Sequence, residues 1–243
     1  MSNPPNAPPL DRPALLSALR ARIARLERAG ASEAMAARGE DAIPLSPAID
    51  AALPWGGLPR AALHEILAAE PGAAAGFAAL VLARAGGTVL WIAPEPDAWP
   101  PGLARFGLSP AQLVLVRAAR AQDALWAMEE TLRCAAVGAA LLVAGALDLT
   151  AARRLQLAAE SGGVLGLLLR PDEDNAAPTA ALSRWRIGAA PSDSTSPHAI
   201  GDAAWSLDLL RCRSGRPASW RATWHGSELV TEEGAATPAR RRA

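Results

Sequence analysis

Residues 62–93, ALHEILAAEPGAAAGFAALVLARAGGTVLWIA, leave the chain few ways to fold. Leu63 to Leu67 is short and apolar and runs into Glu70-Pro71-Gly72. That tripeptide cannot easily continue a regular element, because Pro lacks a donor and Gly tolerates unusual dihedrals. Ala73 to Arg84 is alanine-rich and unbroken enough for a three-turn helix, Gly86-Gly87 stops it, and Thr88 to Ala93 is an apolar run of strand length. Strand, tight turn, helix, tight turn, strand is a βαβ unit. The turn after its first strand is where a phosphate-binding loop would sit.

The chemistry of such a loop is missing. A working one needs glycines so that backbone wraps the phosphates, a Lys for the terminal phosphates and a Ser or Thr hydroxyl for Mg²⁺. The corresponding positions here read Glu70-Pro71-Gly72-Ala73-Ala74-Ala75-Gly76-Phe77-Ala78. The chain contains no lysine at all, so none can be brought in from elsewhere. The stretch is either a cradle that has lost its nucleotide or a small-residue strand-to-helix turn that never held one.

Beyond this unit the same alternation continues. Pro94-Glu95-Pro96-Asp97 follows the Val89–Ile92 strand at its carboxyl end, the edge where open α/β sheets place ligands. A short helical piece, Trp99 to Phe106, leads to a strand at Leu113 to Val116. Asp123 to Cys134 is an amphipathic helix, Ala139 to Ala144 a buried strand, Leu149 to Glu160 a helix exposing Arg153 and Arg154, and Val164 to Leu169 a further strand. Continuous apolar strands alternating with helices predict an α/β fold: a mainly parallel, twisted sheet with helices on both faces.

The Ala139–Ala144 strand carries a second absence. In an NTPase the strand beside the phosphate loop ends in an acidic residue that holds the metal. Here it runs into Gly145-Ala146-Leu147, and the first carboxylate is Asp148. Three extended residues displace it by about 10 Å. Glu95 is left as a remnant or a surface residue. No catalytic, cofactor-binding or metal-binding residue is assigned. His64, His198 and His225 are scattered, without metal-ligand spacing.

Flanking segments supply the candidate contact surfaces. Residues 1–11 are Pro/Asn-rich and read as a disordered tail. Within residues 12–30, Leu15, Leu19, Ile23 and Leu26 recur at helical spacing among Arg20, Arg22, Arg25 and Arg28. This basic amphipathic helix either packs on its own domain or docks on a partner. Residues 31–52 read as a connector, residues 53–230 as the core domain and residues 231–243 as a disordered basic tail. Pro171 to Ala180 is an acidic loop whose Asp172, Glu173 and Asp174 would repel phosphate, and Pro191 to Pro197 is a Ser/Pro-rich loop. Near the C-terminus, Trp205, Leu207 and Leu209 alternate with polar residues, Arg211 and Arg213 follow, and after Gly215 the pattern resumes at Trp220 and Trp224. That is a β-hairpin rich in Trp and Arg, the residue types of interface hot spots. It either fills the sheet edge or binds a partner, with nucleic acid as a lesser alternative.

Composition sets outer bounds. With 24 basic and 24 acidic residues the chain is neutral, which argues against a strongly basic nucleic-acid platform. Two cysteines, Cys134 and Cys212, do not suggest a disulfide framework. No apolar run reaches membrane-spanning length, and MSNPPNAPPL lacks the pattern of a secretory signal. A cytoplasmic protein is expected.

The order HEI, turn, helix, VLWIAPEPDAW, ARFGL, LVLV, helix, ALLVAG, helix, GVLGLLL resembles the core of the RecA/RadA recombinases. LPWGGLPRAALHEI (Leu53 to Ile66), Arg184-Trp185 and WSLDLLRCRSGRPASW (Trp205 to Trp220) carry a closer resemblance to the ImuA family, degenerate relatives of those recombinases. The resemblance covers residues 53–225 and a leading helix. It implies a RecA-like core acting as an accessory factor in translesion synthesis and the damage response. Its implied partners are ImuB, RecA, an error-prone C-family polymerase reached directly or through ImuB, and a second copy of the chain. Direct contact with DNA is left open. Ala74, or Phe77 in a shifted alignment, stands where the family's lysine belongs, and Gly145 stands near its metal-binding Asp. The expectation is therefore a non-catalytic adaptor without a cofactor, using Leu15, Leu19, Ile23, Leu26, Trp205, Arg211, Arg213, Trp220 and Trp224 as contacts. The alternatives are an ATP-binding protein with an unorthodox site and a SulA-like inhibitor of cell division.

Overall fold

The computed structural model describes residues 41–173, 179–193 and 201–233, which fall within one unit, Arg38–Ala243. The chain enters through β1 (Ala42–Ile43), α1 (Pro47–Ala52) and β2 (Leu58–Pro59). The βαβ unit follows as β3 (Leu63–Ala68), α2 (Pro71–Ala85) and β4 (Thr88–Ala93). Then come α3 (Pro100–Ala104), β5 (Leu113–Arg117), α4 (Ala121–Arg133), β6 (Val137–Val143), α5 (Leu149–Gly162), β7 (Leu165–Pro171), β8 (Ser183–Ala189), β9 (Ala203–Cys212), β10 (Ala218–Trp224) and β11 (Leu229–Glu233). β1 and β2 pair with each other, and the other nine strands form one sheet in the order β11-β10-β9-β8-β3-β7-β6-β4-β5. β8, β3, β7, β6, β4 and β5 run parallel. β9, β10 and β11 add antiparallel beyond β8. The α/β, mainly parallel architecture agrees with the sequence and with a RecA-like core. No helix among the described residues is long and apolar enough to cross a membrane.

The central strands read as unbroken apolar runs because alternate residues feed two separate cores. Val89, Trp91, Ala139, Leu141, Leu165, Leu167 and Trp185 face α2 and α1, while Leu63, Ile92, Ala140, Leu142 and Leu168 face α4 and α5. A strand side chain points to opposite faces in turn, so a strand covered on both sides has no polar position to spare. Helix α2 is apolar almost all round for the same reason: nine of its residues are buried. One close approach sets the far end of the unit. A Cβ on Gly138 would lie 1.7 Å from the Gly86 carbonyl oxygen, so only glycine lets β6 pass the α2–β4 turn.

Two boundaries drawn from the sequence move. The segment read as a connector, residues 31–52, belongs to the core from Ala42 onward. Ile43, Leu45 and Ile49 are buried, Arg84 of α2 donates to the Pro44 carbonyl at 2.8 Å and to that of Leu45, and Ser46 Oγ meets Thr231 Oγ1 at 3.0 Å. A Pro-containing stretch hid two short elements held by side-chain bonds to distant partners. At the other end, the tail drawn from residue 231 begins with three residues that complete β11, so the hairpin is a three-stranded antiparallel extension. Residues 1–40 and 234–243, which hold the leading amphipathic helix and the remaining tail of the sequence reading, lie outside the described residues.

Candidate functional site

The turn where a phosphate loop was sought consists of Ala69 and Glu70 between β3 and α2. Each flank of that turn is tied to the sheet. Ala69 N donates to the Ile187 carbonyl at 2.9 Å, and the Glu70 carboxylate accepts from Ala189 N at 2.8 Å. In the first turn of α2 the Ala73 carbonyl accepts the Trp205 indole N–H at 2.9 Å. Pro71 opens the helix without a donor. Neither stand-in for the lysine points to solvent. Ala74 is fully buried, and Phe77 packs against Trp185 and Trp205, with ring centroids 6.4 and 6.1 Å away.

A cavity of about 660 Å³ nevertheless lies at this carboxyl edge, lined by Pro71, Gly72, Gly76, Trp91, Trp99 and Phe106 among others. Among the described residues Arg170 is the one cationic side chain on its wall, and its guanidinium is engaged, with Nη1 2.6 Å from Glu65 Oε1 and Nε 2.8 Å from the Gly145 carbonyl. Asp97 and Asp172 bring negative charge to the same wall, Asp172 already paired with Arg186 at 2.8 Å. Among the described residues the wall therefore presents carboxylates and no uncommitted cation. Asp148 has other work: it caps α5, accepting from Ala151 N at 2.7 Å. Glu95 lies in an exposed pair with Arg117 at 3.0 Å. No grouping of three or more His, Cys, Asp and Glu residues suited to a metal occurs among the described residues.

Two polar clusters that the sequence did not reveal lie along β3. His64 is wholly buried, with Nδ1 2.7 Å from Ser183 Oγ and Nε2 2.9 Å from the Pro59 carbonyl. A carbonyl only accepts, so Nε2 carries the proton and Nδ1 accepts from the Ser183 hydroxyl. The Trp185 indole in turn donates to Ser183 Oγ at 2.8 Å. Burial lowers the His64 pKa to about 4. A Ser–His pair thus exists, sealed in the core, where it joins three strands rather than attacking a substrate. On the opposite face Glu65 is wholly buried between two arginines, 2.6 Å from Arg170 Nη1 and 2.5 Å from Arg184 Nε. The spacing of these residues in the chain gives no hint of the triad. Parallel pairing of β3 with both β7 and β8 creates it.

The residues expected to make contacts separate into three groups. Leu15, Leu19, Ile23 and Leu26 lie outside the described residues. Trp205, Trp220 and Trp224 face the α2 side and are buried. Trp220 stacks at 6.0 Å on Trp185, and Trp224 donates to the Arg105 carbonyl at 2.8 Å beneath the Arg84 guanidinium. The sequence identified their alternation correctly, and the face that carries them is the inner one, packed into the core on the α2 side. Arg211 and Arg213 are exposed and are brought together with Arg153 and Arg184.

These four arginines line a groove of about 650 Å³ beside α5, with Leu149, Leu157 and Glu160. A β-bulge places two of them there. Trp205, Leu207 and Leu209 point inward, and strict alternation would send Arg211 inward as well. Register shifts instead: Trp185 pairs with Leu209 while Arg184 pairs with Arg211, leaving Leu210 as the extra residue. Cys212 takes the next inward position and is buried, its thiol pKa pushed up to about 11 by that burial. Arg211 donates to the Thr179 carbonyl at 2.9 Å. Among the described residues neither Arg153 nor Arg213 has a carboxylate partner.

Comparison with known proteins finds two similar chains. Protein ImuA of Caulobacter vibrioides (strain NA1000 / CB15N) is 38% identical over 226 residues, covering 81% of this chain and 93% of that protein. Protein ImuA of strain ATCC 19089 / CIP 103742 / CB 15 matches to the same extent. No protein-family model matches the chain.

Proposed function

The chain belongs to the ImuA family, and from that premise we propose that it is a non-catalytic accessory protein of damage-induced mutagenic DNA synthesis. It acts in the cytoplasm as an adaptor that binds ImuB and RecA and connects them to an error-prone C-family polymerase. The observation that carries the reading is the closed β3–α2 turn. Two residues connect strand and helix, Glu70 is latched to Ala189, and Ala74 and Phe77 are packed inward where a nucleotide-binding loop would present lysine and backbone donors. A fold that keeps its sheet and fills its phosphate cradle retains surfaces rather than chemistry.

Pull-down with purified ImuB and RecA from the same organism, with and without ATP, tests this. Capture of either protein independent of nucleotide is the expected result. Capture only in the presence of ATP would overturn the non-catalytic reading and restore the unorthodox ATP site. No capture under either condition would overturn the adaptor role and leave the division-inhibitor alternative, which filamentation on expression would reveal.

A further inference from the structure

The groove between α5 and the β8–β9 pair is built for a ligand that the nucleotide edge cannot take. Its four arginines come from three elements: Arg153 from α5, Arg184 from β8, Arg211 from β9 and Arg213 just beyond it. Among the described residues one carboxylate, Glu160, lines it in return. Along α5, Leu149, Arg153 and Leu157 recur every four residues and share one stripe. Leu157 is 63% exposed and Leu149 38%, so the stripe ends in an uncovered apolar side chain on either side of a cation. Eight residues of helix separate the two leucines by about 12 Å.

We propose that this groove docks an acidic segment of a partner protein that carries two apolar side chains about 12 Å apart, a spacing spanned by about four residues of extended chain or two turns of helix. The inference deepens the adaptor reading and rests on it for the identity of the partner. Charge complementarity selects the acidic segment: Arg153 and Arg213 have no carboxylate partner among the described residues. The Arg184 guanidinium is fixed by Glu65, so the cationic wall is pre-organised. Single-stranded nucleic acid fits less well. Its sequence-tolerant binders use aromatic platforms, and among the described residues no aromatic side chain lines the groove. The exposed leucines would meet apolar side chains instead, in the manner of a peptide seated by apolar anchors and clamped by arginines.

The test uses the full chain, a fluorescent acidic peptide with two leucines at this spacing, a neutral peptide with the same leucines and a short oligothymidine. Wild-type protein is expected to bind the acidic peptide in preference to the neutral one. Arg153→Glu combined with Arg213→Glu, and separately Leu157→Ser, should each weaken binding by about tenfold or more. Arg120→Glu, on an exposed residue outside the groove, should leave it unchanged. The substituted side chains are exposed, and equal thermal midpoints would verify folding. Equal affinity for acidic and neutral peptides, no peptide binding, or oligothymidine binding that the double variant abolishes would each overturn the proposal. The same variants in the ImuB pull-down separate the two readings. Wild-type capture that survives the double substitution overturns the groove as the ImuB site, whereas absence of wild-type capture overturns the adaptor role while the peptide result still decides the groove.

Discussion

Arg184 and Arg211 stand directly opposite one another across β8 and β9. Two like charges in register oppose pairing, and each is held by a different acceptor: Glu65 Oε2 for Arg184 at 2.5 Å and the Thr179 carbonyl for Arg211 at 2.9 Å. The arrangement exists because Leu210 is accommodated as the extra residue of a bulge. Deleting Leu210 should regularise the ladder and keep Leu209 opposite Trp185 and Arg211 opposite Arg184. The expected loss of stability is below about 2 kcal/mol, measured by urea unfolding, with peptide binding in the groove retained. Failure to fold would show that the bulge itself, rather than the alternation on either side, holds β9 in place.

Glu65 is the anion for two arginines at once, so its removal acts twice. Glu65→Gln removes the carboxylate charge that both Arg170 and Arg184, 5% and 14% exposed, meet at 2.6 and 2.5 Å. Breaking a buried pair from one side costs about 3–5 kcal/mol, and a fall of that size in the urea unfolding free energy is expected. Glu95→Gln is the control, since its pair with Arg117 is open to water and surface pairs contribute about 1 kcal/mol or less. Equal effects would mean that the triad is not the clamp between β7, β3 and β8.

His64 gives the protein a specific acid sensitivity. Its folded pKa of about 4 lies below the ordinary value of 6.5 because burial disfavours the imidazolium. As pH falls, the unfolded chain therefore takes up the proton first. The stabilising contribution is complete above pH 6.5, declines as pH falls toward 4 and is flat below that. The linkage amounts to about 3 kcal/mol over the interval. Subtracting the stability profile of His64→Asn from that of the wild type isolates it from the carboxylates, and a difference independent of pH between 6.5 and 4 would refute the assignment.

The sheet was legible because its strands are covered on both faces: unbroken apolar runs such as Val164 to Leu169 have no other use in a chain of this kind. Helix α5 was legible from its period, including the exposure of Arg153 and Arg154. The tryptophans were harder. Period two shows that Trp205, Trp220 and Trp224 share a face, but only the position of α2 across the sheet decides that the face is buried. Arg211 was recognised for its residue type, while its neighbours depend on a bulge, and a single extra residue leaves no mark in local composition. The His64–Ser183 and Glu65–Arg184 contacts join residues 119 apart in the chain, and which strand comes to lie beside β3 is a property of topology alone.

The closed phosphate position makes a restorative substitution a sharp test. If the site were a loop lacking only its lysine, Ala74→Lys would recover nucleotide binding. Ala74 is instead fully buried in the α2 core, and its helix starts immediately after a latched Glu70. A lysine there must bury its ammonium or displace the packing around it, and either course is unfavourable by several kcal/mol. The expected result is a lowered thermal midpoint, with no stabilisation by millimolar Mg-ATP in variant or wild type. Ligand bound selectively to the folded state must raise the midpoint, so an ATP-dependent rise in the wild type would place a nucleotide in the carboxyl-edge cavity after all. A rise confined to Ala74→Lys would mean that the turn opens readily, and that the degeneracy lies in one side chain rather than in the geometry of the β3–α2 connection.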